Sequence, residues 1–158
     1  MLTYIGVDLG QKGAIACYSD LGGFRKEFSI FSNWEYHGGT KLRTATDKEI
    51  YEALSTMLKG ASEIYAVIEH PIYMPGNGKK AIAGLFNNFG FMRGLLTAYN
   101  VQELWLPKPR QWQKVVGASS NKTRNLTMAR KLCPKLKNLT KDNSDAVLIC
   151  HACRLIYQ

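Results

Sequence analysis

Long apolar runs, a secretory leader and acidic residues are all scarce or missing in this sequence. No apolar run approaches the roughly 18 residues of a membrane-spanning helix, so we expect no membrane insertion. The start, MLTYIGVDLG, has no basic leader and no small-residue cleavage site, and it predicts a first strand instead. We therefore expect a cytoplasmic protein. With 158 residues, 46% of them hydrophobic, the chain predicts one globular domain over residues 1–158.

Cysteine is also sparse, with four residues and no set that is spaced as a zinc site. Cys150 and Cys153 form one C-x-x-C inside an apolar segment with a helical pattern. A structural zinc site needs two more ligands at similar spacing. We expect free thiols in a buried core, with a metal or redox role as the alternative.

Acidic residues are missing altogether from one basic stretch, which runs from Pro107 to Lys141. The stretch contains ten basic residues: Lys108, Arg110, Lys114, Lys122, Arg124, Arg130, Lys131, Lys135, Lys137 and Lys141. The net charge of the whole chain is +9, so the remainder is close to neutral. A surface of one charge sign attracts polyanions by releasing counterions, whereas a solubilising surface mixes both signs. The distribution indicates a nucleic-acid partner, with a merely solvated face as the alternative.

The hydrophobic pattern predicts an α/β fold. Short glycine turns separate three predicted strands, which should form an antiparallel meander: 3–8, 13–19 and 24–31. The stretch 32–45 has no clear period and predicts a loop. The elements predicted after it are a helix from Thr46, with a Glu49 capping box, to Gly60, a strand at 64–69, a helix at 79–99, a strand at 101–106, a basic helix near 122–133 and an apolar helix at 142–157. We expect a five-stranded mixed sheet, three strands antiparallel and then parallel, flanked by helices.

Four acidic residues stand at the ends of predicted elements. Asp8 and Glu69 each end an apolar strand, and Asp142 and Asp145 stand three apart at the start of the last helix. Each has a structural alternative: Asp142 as an N-cap, Asp8 bonded to the glycine turn, Glu69 as a paired buried acid. Gathered at one end of a sheet they would repel one another unless cations were present. Oxygen-rich sites select Mg²⁺ or Mn²⁺, and paired ions commonly serve phosphodiester hydrolysis, so we expect two ions and no small-molecule cofactor.

Five segments give the chain a resemblance to a known family. In order they are IGVDLGQKGA, AVIEHP, FGFMRGLL, VVGASSNKT and KDNSDAVLICHA. Together they resemble the RuvC family of Holliday junction resolvases, which has the ribonuclease H-like superfold, over most of the chain. The resemblance implies a metal-dependent endonuclease of DNA recombination and repair. Such an enzyme hydrolyses four-way junctions and related branched DNA, such as forks and flaps, leaving 5′-phosphate and 3′-hydroxyl ends. The compact size suits a phage-encoded member.

The resemblance also implies roles for individual residues. It makes Asp8, Glu69, Asp142 and Asp145 the catalytic metal ligands and places Lys122 near the scissile phosphate as a further catalytic residue. The family has a basic residue before V-V-G, but RQWQKVVG is one residue short, so either Lys114 or Arg110 takes that role. The aromatic that follows the second acid is displaced to Tyr73, which we interpret as a wedge against bases or as part of a simple connector. The residues expected to contact DNA are Lys108, Arg110, Lys114, Lys122, Arg124 and Tyr73.

The family acts as a homodimer, and the helix motif FGFMRGLL is compatible with one. Gly90 and Gly94, four residues apart, permit the close approach of another backbone, either a second copy of the chain or this chain's own sheet. The residues predicted at the dimer interface are Phe86, Phe89, Gly90, Arg93 and Gly94.

Two other functions fit the same residues. A ribonuclease H-type nuclease that acts on RNA–DNA hybrids would share the acidic centre. A non-catalytic protein that binds branched DNA would be expected if an acidic position were lost, but all four are present. The start GVDLGQKG also resembles the phosphate-binding turn of actin-like sugar kinases, which need two such domains, and this chain is too short for them.

Overall fold

The computed structural model describes residues 1–9, 12–20, 26–35, 46–72, 76 and 78–158, with the backbone alone for residues 12 and 26–35. The sheet has the strand order β3-β2-β1-β4-β5. Its strands are β1 (Leu2–Asp8), β2 (Lys12–Asp20), β3 (Lys26–Glu35), β4 (Glu63–Ile68) and β5 (Glu103–Trp105). β2 pairs antiparallel with both β1 and β3, whereas β1–β4 and β4–β5 are parallel. The predicted mixed α/β architecture is confirmed.

Five helices accompany the sheet in the described part of the chain. They are α1 (Asp47–Met57), α2 (Lys79–Ala98), α3 (Pro109–Val116), α4 (Lys122–Leu132) and α5 (Ser144–Tyr157). The capping box that starts α1 is confirmed, because Glu49 N donates to Thr46 Oγ1 (3.2 Å) and Thr46 N donates to Glu49 Oε2 (2.8 Å). No helix among the described residues has both the length and the hydropathy needed to cross a bilayer.

The predicted elements are wrong at two boundaries, and one helix is missing from them. β3 continues to Glu35, so the start of the predicted loop 32–45 is strand, and the remainder of that loop lies outside the described residues. The last helix begins at Ser144, not at residue 142. The prediction missed α3, although its signals are present: Pro109 occupies the first turn, and Gly117 ends the helix in the left-handed conformation (φ 69°).

The two faces of the sheet carry separate hydrophobic cores. Ile5, Val7 and Ile68 point to the face covered by α1 and α2. Tyr4 and Val67 point to the opposite face, which is covered by α5 with α3 and α4. This alternation follows from the two-residue period of a strand. Residues of β1 that lie an even number of positions from Tyr4, and residues of β4 that lie an even number of positions from Val67, therefore point to the α5 face.

Gly6 lets α5 lie directly on β1. A Cβ at this position would overlap the backbone nitrogen of Cys150 and the carbonyl oxygen of Ala146. The absence of a side chain therefore brings the first turns of α5 against β1, two residues before Asp8. The cysteines of α5 lie in the same contact: the Cys150 thiol donates to Tyr4 O (3.2 Å), and burial raises the pKa of Cys153 to about 12. Both are buried and free, as the core interpretation predicted.

Candidate active site

Asp8 and Glu69 lie side by side where two parallel strands end. Asp8 is the last residue of β1, and Glu69 directly follows β4. Val7 and Ile68 are paired, and Glu69 N donates to Val7 O (3.0 Å), so the pairing extends to Asp8 and Glu69. Asp8 lies two residues after Gly6, and Glu69 lies two residues after Val67, so both side chains point to the α5 face. Asp8 is buried, with 6% of the residue exposed.

Asp145 approaches these two acids from the first turn of α5. Its side chain is buried, with 7% of the residue exposed. The contact between Ala146 and Gly6 places this turn over the end of β1. The charges of both Asp8 and Asp145 act on Glu69. The structure therefore brings together three of the four acidic residues that the sequence singled out.

Glu69 has a strongly perturbed carboxyl group. Burial is the largest cause and the charge of Asp8 adds to it, so the pKa of Glu69 rises to about 7 despite a hydrogen bond from Trp112 that lowers it. The increase shows that burial, and then the negative charge of the neighbouring acids, disfavours the charged form of Glu69. A bound cation would relieve the repulsion.

Lys122 is the cationic side chain of the site. It begins α4, and its Nζ donates to Asp145 Oδ2 at 2.5 Å. Burial by itself lowers the pKa of Lys122, but the hydrogen bond and charge of Asp145, with the charges of Asp8 and Glu69, raise it overall. About half of the lysine side chain, 51%, is exposed, so it can also face a ligand in solution.

Asp142 is placed differently from the other three acids. It is exposed in the turn before α5, not in the first turn of the helix, so the prediction that it stands with Asp145 at the start of the last helix is wrong. The physical reason is local: Asn143 takes the N-cap position and its Oδ1 accepts from Thr140 N (2.8 Å), which holds the preceding residues in a turn. The alternative in which Asp142 is the N-cap of the last helix is also wrong, because Asn143 occupies that position.

Two residues outside the predicted site bind the acidic residues. Trp112, on α3, is fully buried and its Nε1 donates to Glu69 Oε2 at 2.5 Å. Asn125, on α4, is fully buried and its Nδ2 donates to Asp145 Oδ1 at 2.8 Å. Asn125 had a detectable signal, because it lies three residues after Lys122 and therefore shares its helical face. Trp112 had none beyond being aromatic in a basic stretch.

The donor set fits a hard divalent cation in its chemistry. Asp8, Glu69 and Asp145 supply only oxygen, and burial together with the charges of Asp8 and Asp145 raises the pKa of Glu69. In the described part of the chain, however, no three acidic, histidine or cysteine side chains are spaced closely enough to enclose an ion. Lys122 supplies the positive charge at Asp145 instead.

The basic residues line the outside of the helices next to these acids. Lys108, Arg110 and Lys114 are exposed on or beside α3, and Lys122 and Arg124 are exposed on the first turn of α4. The family's basic position before V-V-G was assigned to Arg110 or Lys114. The α3 side chain that forms a hydrogen bond with Glu69 is that of Trp112. Tyr73 lies outside the described residues.

The predicted dimer residues divide between the surface and the core. Gly90, Arg93 and Gly94 are exposed, and Phe86 is 42% exposed. A Cβ at either glycine would meet nothing within 4 Å, so the alternative of close packing against the chain's own sheet is wrong. Phe89 was misassigned: it is 6% exposed because α2 turns it towards the sheet, where its ring packs against His70 (centroids 5.1 Å apart).

No protein-family model and no curated protein matches the sequence. The structure, in contrast, is similar to solved structures of RuvC from Thermus thermophilus. A RuvC in complex with a Holliday junction substrate superposes with a TM-score of 0.65 at 12% identity, covering 97% of this chain and 93% of that one. A second RuvC structure gives a TM-score of 0.60 at 15% identity with the same coverage. The chain therefore has the RuvC fold, as its motifs predicted.

Proposed function

We propose that this protein is a divalent-metal-dependent endonuclease that cleaves Holliday junctions and related branched DNA. The observation that carries the proposal is the convergence of Asp8, Glu69 and Asp145, with Lys122, at one edge of the sheet in a RuvC fold. Acids buried together are costly, and active sites are where such costs are usually tolerated. The structurally similar RuvC was solved in complex with a Holliday junction substrate, which supports the same class of substrate for this protein.

The residues of the site divide the work between them. Asp8, Glu69 and Asp145 would hold Mg²⁺ or Mn²⁺, with two ions expected, and Asp142 would complete the ligand set from its turn. When bound, the ions would supply Lewis acidity for hydrolysis of the phosphodiester, leaving 5′-phosphate and 3′-hydroxyl ends. Lys122 would place a positive charge beside the scissile phosphate.

The basic residues of α3 and α4 would hold the DNA backbone on either side of this site, so binding should weaken steeply with salt. Two copies of the chain would associate through the exposed α2 residues Phe86, Gly90, Arg93 and Gly94, since an isologous pair supplies two active sites for symmetric strands. Recognition would then depend on branch geometry more than on base sequence.

The experiment compares Asp8→Asn and Asp145→Asn with the parent protein on a four-way junction. Both variants should bind the junction with unchanged affinity and lose Mg²⁺-dependent nicking, because the amide keeps the shape of the carboxylate but is a poor cation ligand. Asp47→Asn, at the exposed start of α1, is the matched control and should nick like the parent.

The choice of substrate separates the proposal from its rivals. A junction, a replication fork and an RNA–DNA hybrid are offered at equal concentration. Preferential cutting of the hybrid would replace the proposal with a ribonuclease H-type nuclease. Junction binding without nicking in Mg²⁺ or Mn²⁺ would replace it with a non-catalytic branched-DNA-binding protein.

A further inference from the structure

We propose that Trp112 and Asn125 are positioning residues, which fix the rotations of the Glu69 and Asp145 carboxylates and so set the affinity of the proposed cation site. The inference rests on the proposed function, since it concerns the same site. Each residue is fully buried, each comes from a different helix, and each donates to one oxygen of one acid. Neither carries a charge, so neither competes with a cation for the site.

The Trp112 indole has one polar atom, and that atom is committed to Glu69. An indole N–H buried without an acceptor would be costly, so the bond to Oε2 is enforced by the packing of the ring in the core. The bond fixes the carboxylate in one rotation and occupies one of its two oxygens. Hydrogen bonds of this kind to ligating carboxylates orient them and commonly change metal affinity by 10- to 100-fold.

The Asn125 amide is fixed in a single orientation by three hydrogen bonds. Its Oδ1 accepts from Ser119 N (3.2 Å), and its Nδ2 donates to Ser119 O (2.8 Å) and to Asp145 Oδ1 (2.8 Å). Reversing the amide would set its oxygen against the oxygens of Ser119 and Asp145, and its nitrogen against an N–H. The Nδ2 donor is therefore the atom that faces Asp145.

Glu69 and Asp145 therefore accept hydrogen bonds from α3 and α4, the two helices that also carry exposed basic residues. Asn125 joins Asp145 to the turn at Ser119, three residues before Lys122, whereas the Trp112 indole N–H donates to Glu69. Loss of Asn125 should therefore disturb both metal binding and DNA binding. Loss of the Trp112 donor should disturb metal binding alone.

The first experiment uses Trp112→Phe, which keeps an aromatic ring and removes the N–H donor. Trp105→Phe is the matched control, because Trp105 packs against the same core from β5. Mn²⁺ binding is measured by calorimetry and by metal-dependent melting, and metal-free junction binding is measured separately. We expect W112F to raise the Mn²⁺ half-saturation about 10-fold or more, with junction affinity and W105F both unchanged. A half-saturation within about twofold of the parent value in W112F would overturn the role of Trp112.

The second experiment uses Asn125→Leu, which has a similar volume and no donor. Both the Mn²⁺ half-saturation and the metal-free junction affinity should weaken, again with W105F as the reference for a change in the core that touches no acid. Junction binding that weakens while Mn²⁺ half-saturation stays at the parent value would show that Asn125 supports only the Ser119 turn. That result would overturn its role at Asp145.

NMR of the parent protein and of Glu69→Gln keeps the inference testable if W112F or N125L fails to fold. The indole N–H resonance of Trp112 should move when Glu69 is changed to Gln and when Mg²⁺ is added, whereas that of Trp105 should not. A Trp112 resonance that is indifferent to both changes contradicts the positioning role. If the parent protein binds no Mn²⁺ in calorimetry, the proposed metal site itself is overturned. If the parent binds Mn²⁺ and both W112F and N125L bind it with the same affinity, only this inference is overturned.

Discussion

Glu69 links the chemistry of the site to the stability of the whole protein. Its pKa is about 7 in the folded chain against 4.5 as the ordinary value, because burial and the charge of Asp8 disfavour the carboxylate. A raised pKa in the folded state means that folding favours the protonated form. The stabilisation is present below about pH 4.5 and is lost as the pH rises through about 7.

At the residue scale this gives a prediction for Glu69→Gln in the metal-free protein. The variant should match the parent near pH 5 and exceed it increasingly up to pH 8, by on the order of 2–3 kcal/mol, because glutamine keeps an acceptor for Trp112 without the charge. Urea unfolding at several pH values measures the difference, with the exposed Glu63→Gln as the control. A constant difference across this pH range would contradict the assignment.

Lys122 carries the second prediction at this scale. Lys122→Met keeps much of the side-chain stem and removes the charge that neutralises Asp145, so single-turnover nicking should fall by about 100-fold or more. Metal-free stability should also fall, and added Mg²⁺ should restore part of it. Lys59→Met, exposed just beyond α1, is the control. Nicking at the parental rate in K122M would remove Lys122 from the catalytic residues.

The helix α5 carries Asp145 to the site, and its position depends on one glycine in β1. Because the backbone of α5 occupies the space of a Cβ at Gly6, no rotamer change can relieve the overlap. We expect Gly6→Ala to lower the free energy of unfolding by about 3 kcal/mol and to reduce nicking by displacing Asp145. Gly78→Ala, where a Cβ meets nothing, should stay within about 0.5 kcal/mol of the parent. Denaturant unfolding that shows equal stability for both variants would contradict this account of the α5 contact.

Helix α3 shows where sequence patterns fail at the scale of an element. Its eight residues include one buried side chain, Trp112, so hydrophobic periodicity has too few points to register. Only its end signals, Pro109 and Gly117, were available. The ends of the long helix α2 were predicted to within one residue. The buried position of Phe89 was not predicted, because the apolar residues of α2 lie on more than one face of the helix.

At the scale of the whole molecule, the exposed face of α2 predicts self-association. Gly90 has room for a side chain within its own chain, so Gly90→Glu should remain folded and dissociate a dimer that uses this face. Analytical ultracentrifugation of the parent, G90E and the control Ala98→Glu measures the masses. The parent and A98E are expected as dimers and G90E as a monomer. A monomeric parent would refute the dimer, and a dimeric G90E would move the interface elsewhere.

The sequence by itself determined the α/β order, the capping box of α1, the placement of Asp8 and Glu69 at strand ends, and the basic stretch 107–141. These features depend on neighbours within a few residues, and periodicity and end signals report such neighbours. Only the tertiary structure decided that Trp112 binds Glu69, 43 residues away, that Asn125 binds Asp145, and that Asp142 stands outside the helix. The reason is that a buried donor takes whichever acceptor the packing of helices on the sheet presents, and no local pattern records that choice.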